Sequence, residues 1–112
     1  MRKDQIVYDD FAKVEMRIGR INDVKEFTRA RNPSYKVEVD FGDFGKKWSS
    51  AQITNYSMEE LVGKLVTCTV NMPPRNIAGF QSEVLIMGAA NSNGDVILLS
   101  PGADVPLGSE VF

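Results

Sequence analysis

An early stretch of the chain keeps a strict alternation and then breaks it. Val14, Met16 and Ile18 alternate with Glu15, Arg17 and Gly19, but the next apolar residue, Ile21, follows Ile18 by three positions instead of two. Alternation of this kind marks a β-strand with one buried face. A jump with a glycine inside it predicts an extra residue at Gly19, a bulge that bends the strand sharply. A long bent strand lets one segment serve two sides of a small closed barrel. On this parity Met16 and Ile18 point inward and Arg17 outward.

The rest of the chain supplies the other sides. Lys36 to Phe41 alternates with Val37, Val39 and Phe41 inward, Gly42 to Gly45 makes a turn, and Lys47 to Thr54 returns as the second arm of a hairpin. Ser57-Met58-Glu59-Glu60 has capping-box spacing, so a short helix starts there and ends by Gly63. Leu65 to Val70 and Glu83 to Met87 are strands, separated by a long loop (Asn71 to Ser82) with two prolines. Asn91 to Gly94 is a turn leading to a last strand, Val96 to Leu99. This order predicts an all-β OB-fold, a five-stranded barrel with one short helix between strands 3 and 4 and an added C-terminal hairpin. At 112 residues there is room for one core, so residues 1–112 are expected to form a single domain.

Composition removes much enzyme chemistry. The sequence has no His, which excludes His-based triads and Cys/His zinc sets, and its one Cys, Cys68, alternates with Val66 and Val70 as a core residue would. Gly42 to Lys47 (GDFGKK) lacks the spacing of a phosphate loop, and the carboxylate pairs Asp9-Asp10 and Glu59-Glu60 have no acid, base or metal-ligand partner in sequence. No catalytic residue, metal or cofactor is expected. No window approaches the ~20 apolar residues of a membrane span, and MRKDQIVYDD lacks the apolar run of a secretory signal. The expectation is a cytoplasmic protein without membrane insertion.

Net charge is −2, distributed as +2 over residues 1–47 and −4 over residues 48–112, so any anion binding must come from a local patch. The ligand face of an OB-fold is built on strands 2 and 3 and flanked by the loops after strands 1 and 4. The first of those loops carries Arg29 and Arg31, and the second carries Arg75. Arginine suits such a groove because its charged, planar fork binds phosphate and carboxylate bidentately and stacks on rings. Parity adds Arg17, Lys36, Ser50 and Gln52 to the outer face. It also places Glu38 and Asp40 there, where carboxylates would repel a phosphate backbone. Met72, Ile77 and Phe80 sit in the long loop, as an open apolar patch for unfolded peptide or as a cap on the barrel end. Trp48 is positioned to stack on a base or to pack in the barrel or a dimer.

Several runs carry a family likeness: FAKVEMRIGRI (Phe11 to Ile21), VDFG (Val39 to Gly42), EELVGK (Glu59 to Lys64) and VN-x-PPR-x-IAGF-x-SEVL (Val70 to Leu85). They resemble the tRNA-binding domain family found in EMAP-II-like cytokine precursors and at the C-terminus of some methionyl-tRNA synthetases. SSAQIT (Ser49 to Thr54), PPRNIAGFQSEVLIMG (Pro73 to Gly88) and GDVILLSP (Gly94 to Pro101) are most similar to its free-standing CsaA-type proteins. The resemblance implies a non-enzymatic, export-related chaperone, an OB-fold homodimer binding unfolded or precursor polypeptides. For the relatives it implies tRNA binding with little sequence reading. Carried over, the peptide- or tRNA-binding groove is Arg17, Ser50, Gln52, Asn71, Arg75, Phe80, Ser82 and Glu83, with Arg29, Arg31 and Lys36 at the rim. One departure stands out: tRNA-binding members commonly have His-Pro-x-Ala-Asp-x-Leu where this chain has Arg31-Asn32-Pro33-Ser34-Tyr35-Lys36. The dimer contacts implied are Ile6, Val7, Val105, Leu107, Val111 and Phe112.

Overall fold

The strand with the broken alternation is the spine of the structure, a computed structural model that describes residues 2–112. After helix α1 (Tyr8–Ala12) come β1 (Met16–Glu26), β2 (Tyr35–Asp40), a 3₁₀ turn (Gly42–Phe44), β3 (Lys46–Ala51), helix α2 (Met58–Leu61) and β4 (Leu65–Thr69). A hairpin of β5 (Arg75–Ile77) and β6 (Phe80–Ser82) follows. The chain then forms β7 (Leu85–Ile86), β8 (Gly88–Ala90), β9 (Val96–Leu98) and β10 (Glu110–Val111). The main sheet runs β3-β2-β1-β4-β7, antiparallel throughout, with β10 beside β1. It curls into a nearly closed OB-type barrel around Ile21, Val37, Val39, Phe41, Leu61 and Val66.

The bulge lies at Asn22, not Gly19: Ile21 pairs with Val39 and Asp23 with Glu38, leaving Asn22 as the extra residue. Ile21 to Val24 is a second jump of three in the sequence, and this one is the bulge. The first jump is a change of face. Gly19 and Ile21 point into the barrel, while Ile18 is buried on the opposite face, beside the C-terminal segment whose Ser109 and Gly108 hydrogen-bond its backbone. Gly19 has to be glycine for space: a Cβ there would lie 2.4 Å from Val39 Cγ1 and 2.9 Å from the Phe41 ring. Alternation detected a half-buried strand correctly and put the wrong half toward the core.

The hairpin of β2 and β3 and the helix cap match the expectation. Val37 and Val39 are fully buried, and the Ser49 side chain is buried while Trp48 and Ser50 face out. Ser57 and Glu60 form the reciprocal capping box, with Ser57 N–H donating to Glu60 Oε1 (2.6 Å) and Glu60 N–H to Ser57 Oγ (3.2 Å). The long loop is corrected, because Asn71 to Ser82 contains the β5–β6 hairpin. Its two-residue turn, Ala78-Gly79, has φ of 49° and 86°, the positive pair that matches strand twist. Alanine at the first of these positions hid the turn, since Asn-Gly or Gly-Gly is the usual signal.

Candidate ligand groove

Directly paired residues of a hairpin share a face. Arg75 pairs with Ser82 and Ile77 with Phe80, so these four side chains turn together toward β3. The hairpin is held there by polar stitches. Ser50 N–H donates to Ser82 Oγ (3.0 Å), Glu83 N–H to Trp48 O (2.8 Å), and Trp48 N–H to Glu83 Oε1 (3.0 Å). Lys47 Nζ stands 3.8 Å from Glu83 Oε2. Ser82 and Glu83 therefore build the wall of the groove.

Two clefts adjoin at this wall, one of about 410 Å³ and one of about 460 Å³, and both are lined by Ser50, Arg75, Ile77 and Leu85. The larger adds Gln52 from the end of β3 and Arg31 and Asn32 from the loop after β1. Arg31 and Arg75, 44 positions apart in sequence, thus line one cleft whose lining contains no carboxylate. Its apolar surface includes Ile77, Leu85 and Ile86. Arg29 is exposed in the same loop and lines neither cleft. Glu38 and Asp40 are occupied elsewhere: Glu38 Oε1 accepts from Asn22 Nδ2 (2.7 Å), and Asp40 Oδ1 accepts from Gly42 N–H (2.9 Å). Neither lines these clefts, so the repulsion that parity suggested does not act inside them, although Glu38 stands opposite Trp48 across β2 and β3.

Phe80 lies off this trough, in an aromatic cluster beside it. Its ring meets Phe27 edge-on at 5.3 Å and Trp48 at 6.3 Å between centroids. Lys36 Nζ sits 4.9 Å from the Phe27 ring centre and 5.1 Å from that of Phe80, and Lys25 Nζ is 5.3 Å from Trp48. Each such contact contributes roughly 0.5–1 kcal/mol at an exposed position. Lys25 and Phe27 were not legible as site residues, because their faces depend on the bulge at Asn22. The signal available was Val24, whose spacing from Ile21 resets the parity for Lys25.

Arg17 occupies a third cleft, of about 320 Å³, at the end of the barrel. It is not a free outer-face donor. Its Nε donates to Glu15 Oε2 (2.7 Å) and its Nη1 to Gly108 O (2.8 Å), while the guanidinium stacks 4.0 Å over Phe44. This cleft adjoins the trough through Met72, Glu83 and Val84. Asn71 is engaged with the N-terminal segment, accepting from Glu15 N–H (2.9 Å) and donating to Lys13 O (2.7 Å). The structure thus gathers Arg31, Ser50, Gln52, Arg75, Ser82 and Glu83. It sets Phe80 and Lys36 alongside, and keeps Arg17, Arg29 and Asn71 apart.

Cys68 is fully buried in the core, and burial pushes its thiol up to about 12. A thiol held protonated is a poor nucleophile. In native protein at pH 8 it should resist a thiol reagent such as dithionitrobenzoate for hours and react at once in denaturant; rapid native labelling would contradict this burial. Among the described residues, no group of three or more His, Cys, Asp or Glu gathers in metal-binding range, and no helix is long and apolar enough to cross a membrane.

Comparison with known proteins adds the family. The model of the family described as "Putative tRNA binding domain" matches residues 16–110. Chaperone CsaA of Bacillus anthracis superposes with a TM-score of 0.92 at 42% identity, covering 97% of this chain and 100% of that one. The CsaA chaperone protein of Picrophilus torridus gives 0.91 at 46% identity, with 96% and 100% covered. A methionine–tRNA ligase of Porphyromonas gingivalis is 32% identical over 108 residues, which is 96% of this chain and 16% of the ligase.

Proposed function

The chain belongs to the tRNA-binding domain family, and from that membership and the groove we propose that it works as a CsaA-like chaperone without enzymatic activity. In this reading it is a cytoplasmic homodimer that needs no cofactor and holds unfolded or precursor polypeptides during protein export. The observation that carries the reading is the larger cleft, where Arg31 and Arg75 border an apolar surface of Ile77, Leu85 and Ile86 with no carboxylate in the lining. An extended segment can rest apolar side chains on that surface while its polar groups meet the arginines. Likeness to two CsaA chaperones along nearly the whole chain supports it. Exposed apolar residues near both termini, Ile6, Val7, Tyr8 and Phe112, support pairing of two copies, which would repeat the groove and add avidity. The test is light scattering by a chemically denatured client diluted without ATP. Suppression at stoichiometric protein is expected, and equal scattering with and without the protein would overturn the reading.

A second reading, structure-directed tRNA binding, is favoured by the cluster of Lys25 and Lys36 over Trp48, Phe27 and Phe80, a surface suited to phosphate and stacked bases. Arg17 contributes less to it than the sequence suggested, being held by Glu15 and Gly108. Four phosphate contacts would give a slope of log K against log salt of roughly −3. No retention of tRNA at low salt, or a flat salt dependence, would eliminate this second reading.

A further inference from the structure

The wall of the larger cleft continues into a strand edge that makes no hydrogen bond among the described residues; β3 stands beside its Leu85–Ile86 end, and Gly88 to Ala90 are exposed. Leu85 is paired with Thr69, Met87 N–H donates to Thr67 O (2.9 Å), Met87 O accepts from Leu99 N–H (3.1 Å), and Ala89 is paired with Ile97. These residues direct their main-chain groups toward β4 and β9. By the alternation of antiparallel pairing, Ile86, Gly88 and Ala90 direct theirs the other way. Among the described residues, no hydrogen bond joins them on that side. The far edge of the same hairpin is treated differently: Leu98 N–H donates to Tyr56 Oη (3.2 Å), and Val96 O accepts from Asn55 Nδ2 (3.1 Å). Proteins usually blunt an open edge with charge, proline or a bulge. Leu85 to Ala90 carries no charged residue and no proline, and Gly88, Ala89 and Ala90 are all exposed. Across the cleft, Trp48 and Ser50 use their outward main-chain groups on Glu83 and Ser82, whereas Gln52 makes no hydrogen bond among the described residues.

We propose that the Gly88–Ala90 end of this edge takes up an extended segment of unfolded polypeptide as an added β-strand, with acidic residues of that segment reaching back toward Arg31 and Arg75. This deepens the chaperone reading and rests on it. The occupant follows from two features. Free donor and acceptor pairs recurring about every 6.6 Å, twice the rise of a strand, are matched by a peptide backbone and not by a sugar–phosphate chain. The cleft that leads onto the edge has two arginines and no carboxylate in its lining, so it complements acidic side chains. Main-chain pairing binds many sequences, as a chaperone must, while the arginines bias the choice.

The probe is a fluorescent, end-capped heptapeptide of alternating valine and glutamate, followed by anisotropy with the full chain. It should bind, and the valine–lysine counterpart should bind at least tenfold more weakly. N-methylation at residues of one parity should weaken binding tenfold or more, and at the other parity less than threefold. Ala90→Pro removes an N–H that has no partner, so it should leave the melting temperature within a few degrees while lowering affinity several-fold. The N-methyl series needs no variant and remains decisive if that one folds poorly. Loss independent of parity, or no binding of the heptapeptide, overturns strand addition. If scattering suppression persists in that case, the chaperone reading survives alone; if suppression is absent, that reading has failed as well. A monomer–dimer shift in sedimentation caused by Ala90→Pro, without an effect on peptide, would assign the edge to a second copy and also overturn the proposal.

Discussion

Gly19→Ala is expected to lower the thermal midpoint by about 4–24 °C. The added Cβ would fall 2.4 Å from Val39 Cγ1 and 2.9 Å from two atoms of the Phe41 ring, and both partners are themselves buried. Neither can turn away without displacing its neighbours. Forcing a methyl into a packed core costs ~1–3 kcal/mol, and in a domain of this size each kcal/mol shifts the midpoint by about 4–8 °C. Gly102→Ala is the control, since its Cβ would meet nothing within 4 Å and its φ is not positive; it should melt within about 2 °C of the parent. Calorimetry or circular dichroism decides the matter, and a Gly19→Ala protein as stable as the control would mean that β1 does not approach β2 as closely as described. The same close approach explains why the alternation changes face at Gly19: the inward position there is filled by the neighbours' side chains.

Arg75→Glu should produce the largest functional loss, raising the protein concentration needed for half-maximal scattering suppression at least tenfold. Arg75 lines both adjoining clefts, and reversal places a carboxylate beside Arg31, which it would neutralise, as well as beside the ligand. Arg29→Ala should change suppression by less than twofold, because Arg29 lines neither cleft. Phe80→Asp should fall between them. It removes the ring that packs against Phe27 and Trp48 and so loosens the hairpin over β3, but Phe80 is outside the buried core cluster and the barrel should still fold. Equal effects of Arg75→Glu and Arg29→Ala would point to a diffuse cationic surface instead of a cleft.

Much of this architecture was legible without coordinates. Val37, Val39 and Phe41 read as an inward row and are one, and Ser57 with Glu60 read as a capping box and close one. Arg31 lies in the loop after β1, as strand order predicts, while Arg75, expected in a loop, stands on β5; the two line one cleft. Arg17 was misread because its orientation depends on which face of β1 the core takes. Asn71 matched a family position, but its amide holds the backbone of Lys13 and Glu15. Ile77 and Phe80 read as apolar residues of an irregular loop because Ala78 replaces the usual turn residue, whereas Met72 does lie in irregular chain before β5.

The sequence by itself determined the apolar row of β2, the capped helix α2, the absence of histidine chemistry and the arginines available to the groove. These are local properties, set by side-chain type and spacing within a few residues. Only the tertiary structure decided that Asn22 is the bulged residue, that Arg17 is held at the barrel's end, and that Gly88 and Ala90 present an open edge. Each of those depends on which backbone groups pair across tens of residues. Periodicity records how strongly a residue favours burial, but the pairing of distant strands selects the face and leaves particular amides without a partner.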